Sequence, residues 1–316
     1  MSDERGYIPV FSYYQIVQSE PNKREEPPYN NLINPSTMRA YFEDWILLME
    51  TIAKFGKPAI VHHEPDLWGF LQRKGDDPAD ARVVVGSSGI PALHGMEDNA
   101  RGLAQALVKL RNELAPNAFL AWHATQWATG PDLTLQNADG AVVGKKVAAY
   151  FNSLQAPFDL IFYGPSDRDA VWRQLRKKQK EAWWDEDDYV RFFEFIKTIN
   201  QETGLRGMIW QIPLGNTIYR SQNNTPGHFQ DNHVEYYLLP ENRQNIIDHA
   251  EIGIIGLLFG AGFNEQTSYR DVAGDGITNP EPINGNDAVA EFVDDDGGLL
   301  RLSTKAFYEQ PLLQLP

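Results

Sequence analysis

Apolar residues fall along the chain in two alternating rhythms. Short, nearly unbroken runs at 7–14, 58–61, 117–123, 158–163, 207–212 and 253–259 read as strands, most of them covered on both faces. Between them, apolar positions recur at three-and-four spacing, the period of amphipathic helices. The clearest helix opens at Pro35-Ser36, places Met38, Tyr41, Phe42, Trp45, Leu48, Met49 and Ile52 on one face, and closes at Gly56. Further helices are expected over 97–114, 142–154, 169–184, 187–203 and about 240–250, with weak strands near 82–86 and 298–302. Strand, helix, strand in this order is the unit of a parallel sheet. No repeat of solenoid length is visible. The expected architecture is an α/β fold of the (β/α)8, TIM-like barrel type, regular or irregular, with long loops at the carboxyl ends of its strands. One catalytic domain over 1–316 is expected, with a long Gly- and Asp-rich loop at 271–298.

Size and charge narrow the picture. At 316 residues the chain is long enough for a barrel core, and its formal charge of −15 argues against nucleic acid or an anionic membrane surface as partner. No run approaches the length of a membrane span. With no cysteine, thiolate chemistry and disulfides are excluded. The polar start Met1-Ser2-Asp3-Glu4-Arg5-Gly6 has no apolar leader core, and an extracellular mature form is expected ahead of a cytoplasmic one. The aromatic content, 8 Trp, 13 Tyr and 16 Phe, is high, and many rings follow strands, where a folding core does not demand them.

Ligands of parallel α/β folds bind at the carboxyl ends of the strands. There the chain offers Tyr14, the cluster His62-His63-Glu64-Pro65-Asp66-Leu67-Trp68, His123 with Gln126 and Trp127, Asp167 and Asp169, Trp210 and Gln211, Asn216, and Glu265. Amides, carboxylates and rings dominate, and lysine is absent. Amides and carboxylates pair with sugar hydroxyls, and aromatic faces pack on pyranose C–H bonds. Cleaving a glycosidic bond takes two carboxyl groups, one of them a general acid with a raised pKa. Glu64 is the first choice, because it ends an apolar strand, and Pro65 is expected to keep it extended. Asp167 is the expected partner and Asp169 the second. Tyr14, His63, Asp66, Trp68, His123, Gln126, Trp127, Trp210, Gln211, Asn216 and Glu265 are expected to contact substrate.

Glu64-Pro65-Asp66 and Trp210-Gln211-Ile212-Pro213 resemble the catalytic barrels of polysaccharide-degrading glycoside hydrolases, cellulases in particular. Glu64-Pro65-Asp66 together with Asp167-Arg168-Asp169 resembles motifs of the family-six cellulases. The resemblance implies a proton donor at Asp169 and a substrate-binding acid at Asp66. The two motifs stand in reverse order here, and Ala170 replaces the family's cysteine.

The expectation is therefore a hydrolase of β-linked polysaccharide, β-glucan or cellulose first, needing no cofactor. Two alternatives remain. His62, His63 and His123 would serve a metal-dependent hydrolase, although adjacent residues of a strand point to opposite faces and neither His-x-His nor His-Glu-x-x-His occurs. A non-catalytic carbohydrate-binding barrel would use the tryptophans alone. Oxygen donors at Asp275, Asn279 and Asp294 to Asp296 offer calcium ligands without an EF-hand spacing, and a solvated loop is the simpler reading.

Overall fold

The computed structural model describes residues 6–179, 182–219, 222–260, 262, 266–267, 297–311, 313 and 315. Six strands occur among them: β1 (Val10–Tyr13), β2 (Ala59–His63), β3 (Ala118–Ala124), β4 (Leu160–Tyr163), β5 (Arg206–Ile212) and β6 (Ile254–Phe259). They form one parallel sheet in the order β1-β2-β3-β4-β5-β6. The sheet is open, with no pairing between β6 and β1, so the fold is α/β but not the closed eight-stranded barrel expected from the sequence. Both weak strands account for the miscount. The stretch at 82–86 contributes a single antiparallel bridge from Arg82 to Asn99. The stretch at 298–302 lies in a helix, Gly297–Tyr308.

The helices, in chain order, are α1 (Tyr29–Leu32), α2 (Pro35–Phe55), α3 (Leu67–Gln72), α4 (Ala100–Leu114), α5 (Gly140–Ser153), α6 (Ala170–Arg176), α7 (Glu186–Thr203), α8 (His233–Leu238), α9 (Arg243–Glu251) and α10 (Gly297–Tyr308). The helix expected over 169–184 stops at Arg176, while α3 and α8 lie outside the helices expected from the sequence. No helix among the described residues is long and apolar enough to cross a membrane.

The chain divides into two compact units. The first comprises Met1–Pro131, Val142–Phe162 and Gln201–Arg206. Here β2 is buried at every position and pairs in register with β1 (Ser12 with His62, Tyr13 with His63) and with β3 (His62 with Ala121, His63 with Trp122). The helix α2 starts where its sequence says it should. Asn34 caps it by accepting from the Ser36 and Thr37 amides, Pro35 occupies the first turn, and Gly56 ends it at φ 72°. Its apolar face buries Tyr41 and Trp45 against Tyr13 of β1, at ring separations of 5.4 and 5.0 Å. Asp159 ties β3 to the chain before β4, accepting from the Leu120 amide and from Arg111 of α4.

The second unit comprises Asp132–Ala141, Tyr163–Asn200 and Gly207–Pro316. In it β5 pairs with β6, with irregularities between Gly207 and Met208 and between Trp210 and Ile212. Tyr163, at the end of β4, donates to Asn200 of α7 at 2.6 Å, and Asn200 in turn donates to the Ile252 carbonyl ahead of β6. These polar links tie the end of β4 and the chain ahead of β6 to the last turns of α7.

Candidate functional site

In the first unit the strand β2 carries two histidines in succession, and the pleat sends them to opposite faces. His63 enters the helix-covered side, among Tyr13, Trp45 and Trp68, and its Nε2 is 2.6 Å from the Tyr41 hydroxyl. His62 lies on the other side, 2.9 Å from His123 Nδ1 through its Nε2 and 3.3 Å from Ser12 Oγ through its Nδ1. The Phe162 ring lies 4.4 Å from it, tilted by 30°. Burial lowers the pKa of all three imidazoles, to about 3 for His63 and His123, so they are neutral at physiological pH. Among the described residues no three His, Cys, Asp or Glu side chains gather where one metal ion would bind.

Glu64 follows directly. Pro65 was expected to hold it extended, but its φ is +42°, a conformation that L-residues adopt at a cost of about 1–2 kcal/mol. Its own amide donates to the Tyr13 carbonyl at 2.7 Å, extending the β1–β2 pairing by one residue. The side chain is fully buried. Oε1 accepts the amides of Gln15 and Ile16, at 2.8 and 3.0 Å, from the turn that follows β1. Oε2 is buried without a hydrogen-bond partner. Burial pushes the carboxyl up to about 8, against the opposing pull of the two amides and the nearby Tyr41 hydroxyl. At neutral pH the group is therefore a carboxylic acid, not a carboxylate.

Asp66 stands at the start of α3 and is half-buried, as a helix-capping residue would be, yet its side chain makes no cap hydrogen bond. The Tyr14 hydroxyl donates to its Oδ2 at 3.3 Å and lies 3.4 Å from Glu26 Oε1. With one proton to give, Tyr14 serves one of these carboxylates at a time. Burial and these carboxylates hold the Tyr14 phenol well above its usual range. The carboxyl end of β2 thus gathers Tyr14, Glu64 and Asp66, three residues singled out from the sequence.

Trp68 was expected to contact substrate. It sits instead in α3, fully enclosed, with Trp122 and Phe158 at 6.2 and 6.0 Å, and its ring is part of the core. The close packing of α3 follows from Gly69, where a Cβ would come within 2.7 Å of the Thr125 side chain. Trp127 is half-buried. Phe70 packs on it at 5.0 Å, and Arg73 covers it at 4.7 Å while bonding to its carbonyl and that of Gly130. Gln126, beside it, is half-buried too.

In the second unit Asp167 and Asp169 take different roles. Asp167 is 45% exposed and pairs with Arg168 and Arg173. Asp169 is buried. Its Oδ1 accepts the Gly215 amide at 3.1 Å and its Oδ2 the Thr267 amide at 3.0 Å, so one carboxyl ties together the segments after β4, β5 and β6. Burial first, and then the neighbouring Asp231, push its pKa up. Asp231 and His233, which the sequence reading passed over, complete this cluster. Asp231 accepts from the Ala170 amide at 2.8 Å and from His233 Nδ1 at 2.6 Å. The signal was an Asp two residues ahead of a His at a helix start. Gly215 allows the close approach, since a Cβ there would meet the Phe229 carbonyl at 2.1 Å.

Trp210 and Gln211 are half-buried at the end of β5, with Gln211 at φ +61°. Asn216 is buried and accepts the amides of Ile218 and Tyr219, which makes it a turn-forming residue. Glu265 and the loop acids from Asp275 to Asp296 lie outside the described residues.

Compared with models of known protein families and with curated proteins, the chain matches none.

Proposed function

We propose that the chain hydrolyses β-linked polysaccharide, β-glucan first, with Glu64 as the general acid. The supporting observation is the state of Glu64, a carboxyl fixed by two amides at a strand end and held protonated at neutral pH by burial. A glycosidic oxygen needs such a donor as it leaves. Asp66, half-buried two residues on and bonded by Tyr14, is a second carboxyl group in the same unit. Tyr14 and Trp127, both half-buried, provide rings for sugar faces.

The turn carrying Gln15 and Ile16 covers Glu64, so substrate reaches the acid only when that turn gives way. The test is reducing-sugar release from β-glucans, xylan, mannan and chitin across pH. Hydrolysis that falls as pH rises through about 8 supports Glu64 as the acid. No hydrolysis of any substrate refutes the reading.

The complete burial of Glu64 favours a second reading, a sugar-binding protein in which this carboxyl only fixes the β1 turn. Binding without hydrolysis, weakened by Trp127→Ala and unchanged by Glu64→Gln, marks that case.

A further inference from the structure

On the face of the sheet opposite its helix-covered side, three side chains from neighbouring strands form a hydrogen-bonded row: Ser12 on β1, His62 on β2 and His123 on β3. Ser12 pairs in register with His62, and His123 lies two residues past Ala121, the other register partner of His62. The pleat therefore brings all three to one side. The row differs in access along its length. Ser12 is exposed, whereas His62 and His123 are buried. A surface hydroxyl, an imidazole 3.3 Å behind it and a second ring 2.9 Å further in follow the order of nucleophile, base and orienting group in serine hydrolases.

Protons and backbone fit the same order. Each neutral ring carries one proton, and the two nitrogens facing each other at 2.9 Å hold one between them. Donation therefore runs in one direction along the row. When it runs from Ser12 to His62 to His123, both rings carry their proton on Nε2, the form an unperturbed histidine side chain favours. His62 Nδ1 then accepts from the Ser12 hydroxyl. The Ile60 amide donates to the Pro9 carbonyl and the Glu64 amide to the Tyr13 carbonyl, so residues 9, 11 and 13 turn their backbone groups to β2. Ser12 turns its own amide the other way, to the side of β1 where no described strand pairs.

We propose that Ser12, His62 and His123 form a serine-nucleophile site that cleaves carboxylic esters with good leaving groups. Ser12 Oγ bonds to the acyl carbon as its proton passes to His62 Nδ1, and the Ser12 amide meets the negative carbonyl oxygen. The bond from the acyl carbon to the alcohol oxygen then breaks, and that oxygen takes the proton from His62. Water repeats the sequence on the acyl-serine, releasing the acid and restoring the hydroxyl. His123 is a positioning residue: it touches no reacting atom and fixes the tautomer of His62. Burial, and then the neighbouring His123 and His63, make His62 a weak base. It accepts the proton only while Oγ bonds to carbon, so aryl esters come ahead of alkyl esters and amides.

The whole chain is treated with a biotinylated fluorophosphonate, and the adduct is located by tandem mass spectrometry. An adduct on Ser12 is expected, formed at least about 100-fold more slowly in His62→Gln. No adduct on Ser12, or a rate in His62→Gln near the parent's, overturns the site. Ser12→Ala, at an exposed position, is expected to abolish hydrolysis of 4-nitrophenyl acetate, and unchanged hydrolysis overturns it too. Because His62 is buried and its variant can fail to fold, nitrogen-15 NMR of the unaltered protein gives a separate reading. The His62 proton is expected on Nε2, coupled across the hydrogen bond to His123 Nδ1. A His62 proton on Nδ1 overturns the proposal. None of these probes is a sugar, so the outcome is independent of glucan hydrolysis at Glu64.

Discussion

Replacing Glu64 by glutamine separates the cost of burying a carboxyl from every other source of pH dependence. The folded chain holds this proton to about pH 8, while the unfolded chain releases it near 4.5. The folded pKa is the higher one. Stability from this group is therefore fully present below about 4.5, declines as pH rises, and stops declining once pH passes about 8. Between those limits the slope is about 1.4 kcal/mol per pH unit, and at pH 7 the accumulated loss is about 3 kcal/mol. Glutamine is shaped like the protonated acid: its carbonyl can accept from Gln15 and Ile16 while its amide takes the place of Oε2. It does not ionise, so its stability lacks this slope. Urea unfolding of both proteins at pH 5, 6, 7 and 8 gives the difference directly, and the buried Asp169 contributes to both and cancels. The variant is expected to gain on the parent by more than 1 kcal/mol per pH unit across this range. A constant difference would refute the reasoning, because it would mean that Glu64 is ionised in the folded chain.

Other substitutions test the division between core, scaffold and surface. Asp169→Ala strands the amides of Gly215 and Thr267, each worth about 1–3 kcal/mol when buried and unmet, and should lower the urea midpoint strongly. Trp68→Ala opens a cavity among Trp122, His63 and Phe158 and should cost about 3–5 kcal/mol of stability, measured by the same unfolding. Trp127→Ala, at a half-buried ring, should leave the midpoint nearly in place while weakening glucan binding in a gel-shift or calorimetric assay.

Much of the scaffold could be read from residue order. The run Ala59-Ile60-Val61 is apolar without alternation, and β2 is buried on both faces. Asn34, Pro35 and Gly56 mark both ends of α2 through local chemistry alone. Strand number was harder to read. Leu299, Leu300 and Leu302 fit a strand or a helix over so short a span, and helix α10 takes them. Val83, Val84 and Val85 are buried as a strand's residues would be, yet only Arg82 finds a pairing partner. At the site, an apolar strand ending in Glu64 was enough to flag a desolvated carboxyl. The reversed φ of Glu64 was not legible, because local sterics before Pro65 favour the opposite and the Gln15 and Ile16 amides override them. Tyr41 showed only as an apolar position of a helix. Its hydrogen bond depends on His63, 22 residues away, and no spacing rule links the two.

In the proposed mechanism the proton on Glu64 goes to the leaving glycosidic oxygen. The most direct measurement is the rate of reducing-end release from β-glucan by the parent chain and by Glu64→Gln at pH 6, with glucan affinity measured in parallel. Loss of a positioned general acid is expected to slow release at least about 100-fold while affinity stays within a few-fold. Equal rates in the two proteins would contradict the account and leave Glu64 as a buried tie for the β1 turn.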